Sequence, residues 1–429
     1  MKGRKLSFMG VISALVLLAS ACEIMLPPAE GENGKVKVQK TLIVYSCGHN
    51  NLSVDLLEDL ADLSSNAPSE AYTDSYRLLI FSHRAENRYN YKVPVDPVLM
   101  QVYKDKNDMV VYDTVKVFPS KTYANGTPSE EGYSGSDAKT LKEVMSYIKT
   151  EFPSFEYGML FSSHATGWLP YDYYDTGKIT KSVGADYSGQ GSKGVPIEIE
   201  LADFASAIDE AGMHFHYMIF DACFMGGIEA AYELRHVCRY FMASPTEIWS
   251  GGLMYKDMIK RLMGSKEPDF QGMCDSYIEH YKSMGATISL TDCSKLDDYD
   301  DSENKQNIRG LSTVCRDLFT KHAALIAKVN PNNVQGYHRQ NTNFENQKHY
   351  FYDMRDILVQ AGVPQEDLDM FDTAINNAVI IKGHTENLID GLPCKTFCGL
   401  SMYLPCAGNI ELNEYYKRYQ WNTATGLVK

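Results

Sequence analysis

Two short apolar runs constrain this chain more than any other feature. Tyr157-Gly-Met-Leu-Phe-Ser-Ser leads into His164, and His216-Tyr-Met-Ile-Phe-Asp-Ala leads into Cys223. A run apolar at nearly every position and closed by small residues reads as a buried strand that presents the next side chain at its C-terminal edge. Between the two, Glu198 to Ala211 has a helical apolar period and stops at Gly212, as the crossover between parallel neighbours does. Side by side, the strands would bring an imidazole and a thiol together from 59 positions apart. That is the pairing a cysteine nucleophile and its base require.

The rest of the chain repeats this alternation. Thr41-Leu-Ile-Val-Tyr-Ser and Arg77-Leu-Leu-Ile-Phe-Ser read as strands, with an amphipathic helix through Leu56, Leu57, Leu60 and Leu63 between them, capped by Ser53. Alternating runs on either side of Asp105 to Asp108 predict a hairpin, and Ser136 or Asp137 caps a helix through Leu141, Val144, Met145 and Ile148. A helix is expected from Phe224 to His236, a strand at Tyr240 to Ser244 and a loop at Glu247 to Gly252. From Leu253 the chain reads as mainly helical, with a strand at Ala286 to Leu290 and a late one at Gly399 to Pro405, in the main sheet or a small second one. The expected class is α/β: a mostly parallel β-sheet flanked by helices on both faces, with a mainly helical C-terminal addition. Leu169 to Gly194 is polar and without period, long enough to suggest a functional loop.

The first residues read as a targeting segment. Lys2, Arg4 and Lys5 precede an apolar stretch from Phe8 to Leu18, too short to span a bilayer. Leu18-Ala-Ser-Ala-Cys22 resembles a bacterial lipobox, which implies a lipid on Cys22; secretory cleavage after Ala19-Ser-Ala21 is the alternative. The expected organisation is a signal peptide at 1–21, a tether at 22–39, a catalytic core at 40–252 and a C-terminal region at 253–429. The protein is expected to be exported and held to a membrane on the periplasmic or cell-surface side. The formal charge is −14, and −17 without the first 21 residues, which carry three cations and no acid. An acidic surface argues against nucleic acid as a partner.

Nine cysteines remain after Cys22, scattered and odd in number, which fits a free reactive thiol better than a disulfide framework. Cys394 and Cys398 are either a disulfide or two thiols. A helix starting at Phe224 would favour a thiolate at Cys223. The Ala165-Thr166 turn and Gly167 could offer backbone N–H groups to an oxyanion. An isolated strand-end cysteine is ordinarily a small apolar residue, so the neighbours must decide. His214-x-His216 has a metal-compatible spacing but no evident third ligand. The serines beside His164 lack a Gly-x-Ser-x-Gly elbow. The acidic run from Asp297 to Glu303 lacks calcium-loop spacing and reads as a solvated loop.

Ser163-His164-Ala-Thr-Gly167-Trp168 and Phe220-Asp221-Ala-Cys223-Phe-Met-Gly226, in that order and spacing, resemble the paired blocks of the clostripain-like (C11-type) cysteine peptidases. The resemblance runs from about residue 40 to the C-terminus and is strongest from Asp137 to Ser250; Gly399 to Pro405 also looks like a family segment. It implies a caspase-like fold and an endopeptidase that cuts after arginine, and sometimes lysine, through an acyl-enzyme. Cys223 would be the nucleophile and His164 its base, with Ala165 and Cys223 at the oxyanion. Ala165 departs from the family's usual glycine: its N–H survives, but conformations reserved for glycine do not. Asp221 matches the acid that would receive the basic side chain; its rival role is to cap the following helix. Glu247 is a second candidate acid and Trp249 a pocket wall. Family members often cut themselves between the two blocks, which points to Lys178 or Lys181. No cofactor is expected at the reacting centre; some members use calcium. The expected partners are peptides or proteins with Arg or Lys at the cut, and a membrane through the lipid. The rival readings are a non-catalytic surface lipoprotein of the same fold that binds protein or glycan, and another thiol enzyme such as an amidase or transpeptidase.

Overall fold

A computed structural model describes residues 29–30, 35–72, 75–87, 90–124, 127–170, 183–186, 197–301, 306–337 and 350–429. Cys22, Lys178 and Lys181 lie outside them. The main sheet contains β1 (Val36–Gly48), β2 (Tyr76–Asn87), β3 (Asn90–Lys104), β4 (Val110–Val117), β5 (Ser154–Ser162), β6 (Phe215–Asp221), β7 (Cys238–Ala243), β8 (Thr287–Asp292) and β9 (Val379–His384). Their spatial order is β9-β8-β7-β6-β5-β1-β2-β3-β4, with the short strand Ala29–Glu30 paired to β1. The five central strands, from β7 to β2, are parallel, and the pairs outside them are antiparallel.

Both faces of this sheet are covered, which is why its central strands read as unbroken apolar runs. Successive residues of a strand point to opposite faces. On β1, Ile43 and Tyr45 join one core with α2 (Ala138–Glu151) and α3 (Leu201–Glu210), while Leu42 and Val44 join the other with α1 (Ser53–Ser64), α5 (Tyr255–Met263) and α6 (Phe270–His280). Between α3 and α5 lies α4 (Ile228–Leu234). Beyond β8 come α7 (Leu311–Ile326), α8 (Met354–Gln360), α9 (Gln365–Ala378), α10 (Ile410–Tyr416) and α11 (Gln420–Thr425). The first core runs on into this part of the chain, as far as Val428. None of the helices among the described residues is long and apolar enough to cross a membrane.

Several local expectations change. Ser53 does not cap α1: Leu52 holds that position, and the Ser53 hydroxyl accepts the Ala85 N–H at 3.1 Å. Of the two candidates before α2, Asp137 is the cap, accepting from the Lys139 N–H at 3.0 Å. The helix expected at Phe224 starts at Ile228, because Phe224 has a left-handed φ of +59° that an α-helix cannot include. Helix α3 starts at Leu201, after a short strand, Ile197–Ile199, that pairs with Val183–Asp186. The Leu169 to Gly194 loop therefore contains an ordered strand. The late Gly399 to Pro405 segment takes the second of its two options: Ser401–Met402 pairs with Tyr352–Asp353. The strand that joins the main sheet from this region is β9, read from sequence as helical. It follows α9 directly, and one of its faces is more exposed than the other, as on an edge.

Candidate active site

The site is built at the C-terminal ends of β1, β5 and β6, where parallel α/β sheets place their ligands. Ser162 at the end of β5 lies in register with Ser46 of β1 and Asp221 of β6. His164 and Cys223 each follow this row by two residues. Six residues nominated from sequence, His164, Ala165, Asp221, Cys223, Glu247 and Trp249, line one cavity of about 250 Å³.

His164 Nε2 lies 2.8 Å from the Asn51 carboxamide oxygen. With an oxygen as its partner, Nε2 carries the proton, and Nδ1 is the basic nitrogen of a neutral ring. Asn51 was not found from sequence. Its signal was position: Gly48-His-Asn-Asn leaves the first parallel strand at the same sheet edge as the reactive pair.

Cys223 is half-buried, and its sulfur meets a backbone donor, not a helix end. The Ile248 N–H points at Sγ from 3.3 Å, and the thiol faces the Ile248 carbonyl at 3.8 Å. The intended helix dipole is five residues away, at Ile228, outside the single turn over which it acts. The sulfur thus has one backbone donor and one backbone acceptor beside it. Phe224 next to it is pinned: its N–H donates to Thr246 at 2.9 Å and its ring stacks on Phe351 with centroids 4.7 Å apart. Gly167 of the histidine turn has φ +61°, and a Cβ there would lie 2.5 Å from the Phe224 carbonyl oxygen. The turns that carry the two reactive residues thus touch backbone to backbone, which only glycine permits.

A buried polar network holds the histidine turn from below. The Ser163 hydroxyl donates to the Cys47 carbonyl at 2.7 Å, and the Asn50 amide donates to the carbonyls of Cys47 and Ala185 at 2.9 and 2.7 Å. Gly184 N–H donates to the His164 carbonyl at 3.0 Å, and Ala165 is bridged to Val183. Asp186 ends this strand. It accepts from the Ser136 N–H at 3.0 Å and from the Ser134 hydroxyl, and contacts His83 Nδ1 at 2.7 Å. Burial pushes its carboxyl up, but His83, His49 and Ser134 outweigh burial and leave it below the usual range. Among the described residues, His49, His83 and Asp186 are the group whose ligand atoms approach within 4.8 Å of one another, a spacing open to a metal ion. His83 Nδ1 is already engaged by Asp186, and none of the three lines the cavity; they support the strand beneath the histidine turn. His214 and His216 gain no third ligand among the described residues. In the acidic run, Asp297 is bound by Tyr232 and Arg235, and Asp298 accepts from Gly310 N–H at 2.8 Å.

Asp221 is buried near the foot of the cavity. Its Oδ2 accepts from the Tyr255 hydroxyl at 2.5 Å and faces the Ser162 hydroxyl at 3.5 Å. Burial pushes its carboxyl up to about 6 in spite of these donors. It does not cap α4, whose N-cap is Gly227. Glu247 is half-buried at the cavity wall, and the Trp249 indole is fixed by its N–H to the Gly285 carbonyl at 3.0 Å. None of the nine described cysteines is in a disulfide, Cys394 and Cys398 included.

The late segment and last helices brace these turns. Ser401 N–H donates to the Gly226 carbonyl at 3.0 Å, just beyond Cys223. Tyr403 N–H and the Tyr416 hydroxyl both donate to buried Glu229 Oε1, at 2.9 and 2.6 Å. The Tyr419 hydroxyl donates to the Trp168 carbonyl at 2.6 Å.

A parallel-centred sheet carrying an imidazole and a thiol at one cavity on its C-terminal edge is the architecture of the caspase-like peptidases. Within that class, the chain belongs to the clostripain family of C11 peptidases, whose family model matches residues 44–425. It is 24% identical over 244 residues to clostripain of Hathewaya histolytica, a match covering 54% of this chain and 44% of that protein. The chain thus spans less than half the length of that relative. Its fold is similar to an inactive zymogen C11 protease from Parabacteroides distasonis, with TM-score 0.69 and 25% identity, covering 91% of this chain and 99% of the other. It is also similar to a secreted C11 cysteine protease from Bacteroides thetaiotaomicron solved with an irreversible peptide inhibitor, with TM-score 0.67 and 23% identity, covering 90% and 98%.

Proposed function

We propose that this protein is an exported cysteine endopeptidase that cuts after basic residues, arginine above all. Cys223 gives its proton to His164 Nδ1 and attacks the scissile carbonyl carbon. The tetrahedral oxyanion is met by backbone N–H groups of Ala165 and Cys223. The C–N bond then breaks, the proton passes from His164 to the leaving amine, and a thioester remains. Water, deprotonated by His164, hydrolyses the thioester and regenerates the thiol. Asn51 holds the ring in the tautomer that makes Nδ1 the base. Asp221 receives the basic side chain, with Trp249 as a wall and Glu247 near the mouth.

The observation that carries this reading is the shared cavity. It has the thiol and imidazole on its lining together with a buried carboxylate whose hydrogen-bond donors are hydroxyls and a backbone N–H, none of them cationic. A guanidinium would supply the missing charge. Self-cleavage after Lys178 or Lys181, between the two blocks, and lipid attachment at Cys22 complete the proposal; the zymogen state named for the Parabacteroides relative supports the first. The test is a fluorogenic panel with Arg, Lys, Asp, Asn and Leu at the cleavage position. Turnover confined to Arg and Lys is expected; preference for Asp or Asn would overturn the role of Asp221, and no turnover of any peptide by folded, processed protein would overturn the enzyme.

A further inference from the structure

Resting on that reading of the cavity, we infer that Asp59 is a second acid of the specificity pocket, and that Asp59 and Asp221 together select arginine over lysine. Asp59 comes from α1, far from both reactive blocks in sequence. Leu52, Leu56 and Asp59 follow a spacing of four and three residues, so they share one face of the helix. Leu52 and Leu56 line the cavity, and Asp59 stands one turn further along the same face.

Gly252 fixes the separation of the two acids. It has φ +60°, and a Cβ built on it would lie 2.5 Å from Asp221 Oδ2, 3.2 Å from Asp59 Oδ2 and 3.1 Å from the Tyr255 ring. Both carboxylate oxygens therefore border one small space, less than about 6 Å apart, within the range where like charges disfavour each other. The space stays open because residue 252 has no side chain, and the Tyr281 hydroxyl holds the Gly252 carbonyl in place at 3.0 Å.

Asp59 Oδ2 is buried without a hydrogen-bond partner. The Tyr277 hydroxyl, on a side chain only 1% exposed, also lacks one and lies in the field of Asp221 and Cys223. Burial first, and Asp221 second, push the Asp59 carboxyl up to about 9, with Asp55, Asp62 and Glu58 adding to it. A carboxyl held neutral at this point is stabilised as an anion only by positive charge placed beside it. An arginine side chain offers five N–H donors on a rigid plane and can meet two carboxylates at once. A lysine ammonium is shorter and compact, and satisfies Asp221 while leaving Asp59 protonated.

The experiment compares wild type with Asp59→Asn on matched peptides bearing Arg or Lys at the cleavage position. The expected result is a loss of about 10-fold or more in kcat/KM for the arginine peptide, carried by KM, with the lysine peptide nearly unchanged. Asp59→Glu should recover part of the arginine preference. Equal Arg-to-Lys ratios in wild type and Asp59→Asn overturn this inference and leave the basic-residue reading standing. Wild type that refuses both peptides but cuts after another residue overturns both.

Discussion

Asn51 and His164 face each other across the ends of two neighbouring strands, carboxamide oxygen to Nε2 at 2.8 Å. The contact decides which ring nitrogen is left for the thiol. Asn51→Ala should lower kcat by about ten- to a hundredfold with KM little changed, since the lost group orients the base and touches no substrate. Asn51 is exposed, so thermal melting should not move. A loss seen only in KM would show that Asn51 serves binding and not the base.

Asp221 sets the direction of the pH response. Burial holds its carboxyl up to about 6, and it must ionise to hold a cation. Activity on lysine peptides, as kcat/KM, should therefore rise with pH through about 6. The stability linkage has the opposite sign. A carboxyl raised in the folded state favours folding fully below its unfolded value, and that contribution is lost as pH climbs through the folded value. Asp221→Asn should remove most turnover of arginine peptides while leaving the melting temperature unchanged or higher. Equal activity in the two proteins would remove Asp221 from the pocket.

Gly167→Ala tests the contact between the two turns. The new methyl would need a left-handed backbone and a place 2.5 Å from the Phe224 carbonyl oxygen. A loss of about 1–3 kcal/mol in denaturant unfolding is expected, with turnover falling as the imidazole and thiol are pushed apart. A variant as stable and active as wild type would mean that the turns move freely.

Asp59→Asn should stabilise the protein at neutral pH even as it weakens arginine recognition. The carboxyl is held near 9 when folded, by burial and then Asp221, so the stability it lends is present below the unfolded value and drains away as pH rises through about 9. An uncharged amide escapes that cost. Thermal melts at pH 7 should rise by about 1–3 °C; a fall would show that the acid supports the fold.

Intact mass of wild type against Cys223→Ala tests processing. Wild type should separate, in denaturant, into two pieces divided after Lys178 or Lys181, while the variant stays whole. A single uncut chain in both rules out self-cleavage there.

The sheet and the reactive pair were legible because burial on both faces forces unbroken apolar runs, and because each run ended in a chemically distinctive residue. Asn51 was hidden by the same logic: an asparagine after a strand is usually turn punctuation, and only the neighbouring strand's histidine gives it a role. Asp59 carries no signal in sequence, standing among Asp55, Glu58 and Asp62 on one helix; only Gly252 and Asp221, distant along the chain, give it a place. The helix misplaced at Phe224 shows the limit of propensity: tertiary packing against Thr246 and Phe351 holds a phenylalanine in a backbone state its own preferences oppose. Strand β9 was missed because Val379 follows the last residue of α9 directly, with no turn residue between them to separate strand from helix.

The break proposed for residues 171–182 falls between strands that are already joined. β5 lies before it and β6 after it, and five register pairs bind them at the centre of the sheet. Asp186 would go with the downstream piece, yet stays locked to His83 of the upstream one. A nick would thus yield a two-chain particle that purifies as one, with imidazole donated by one product and thiol by the other.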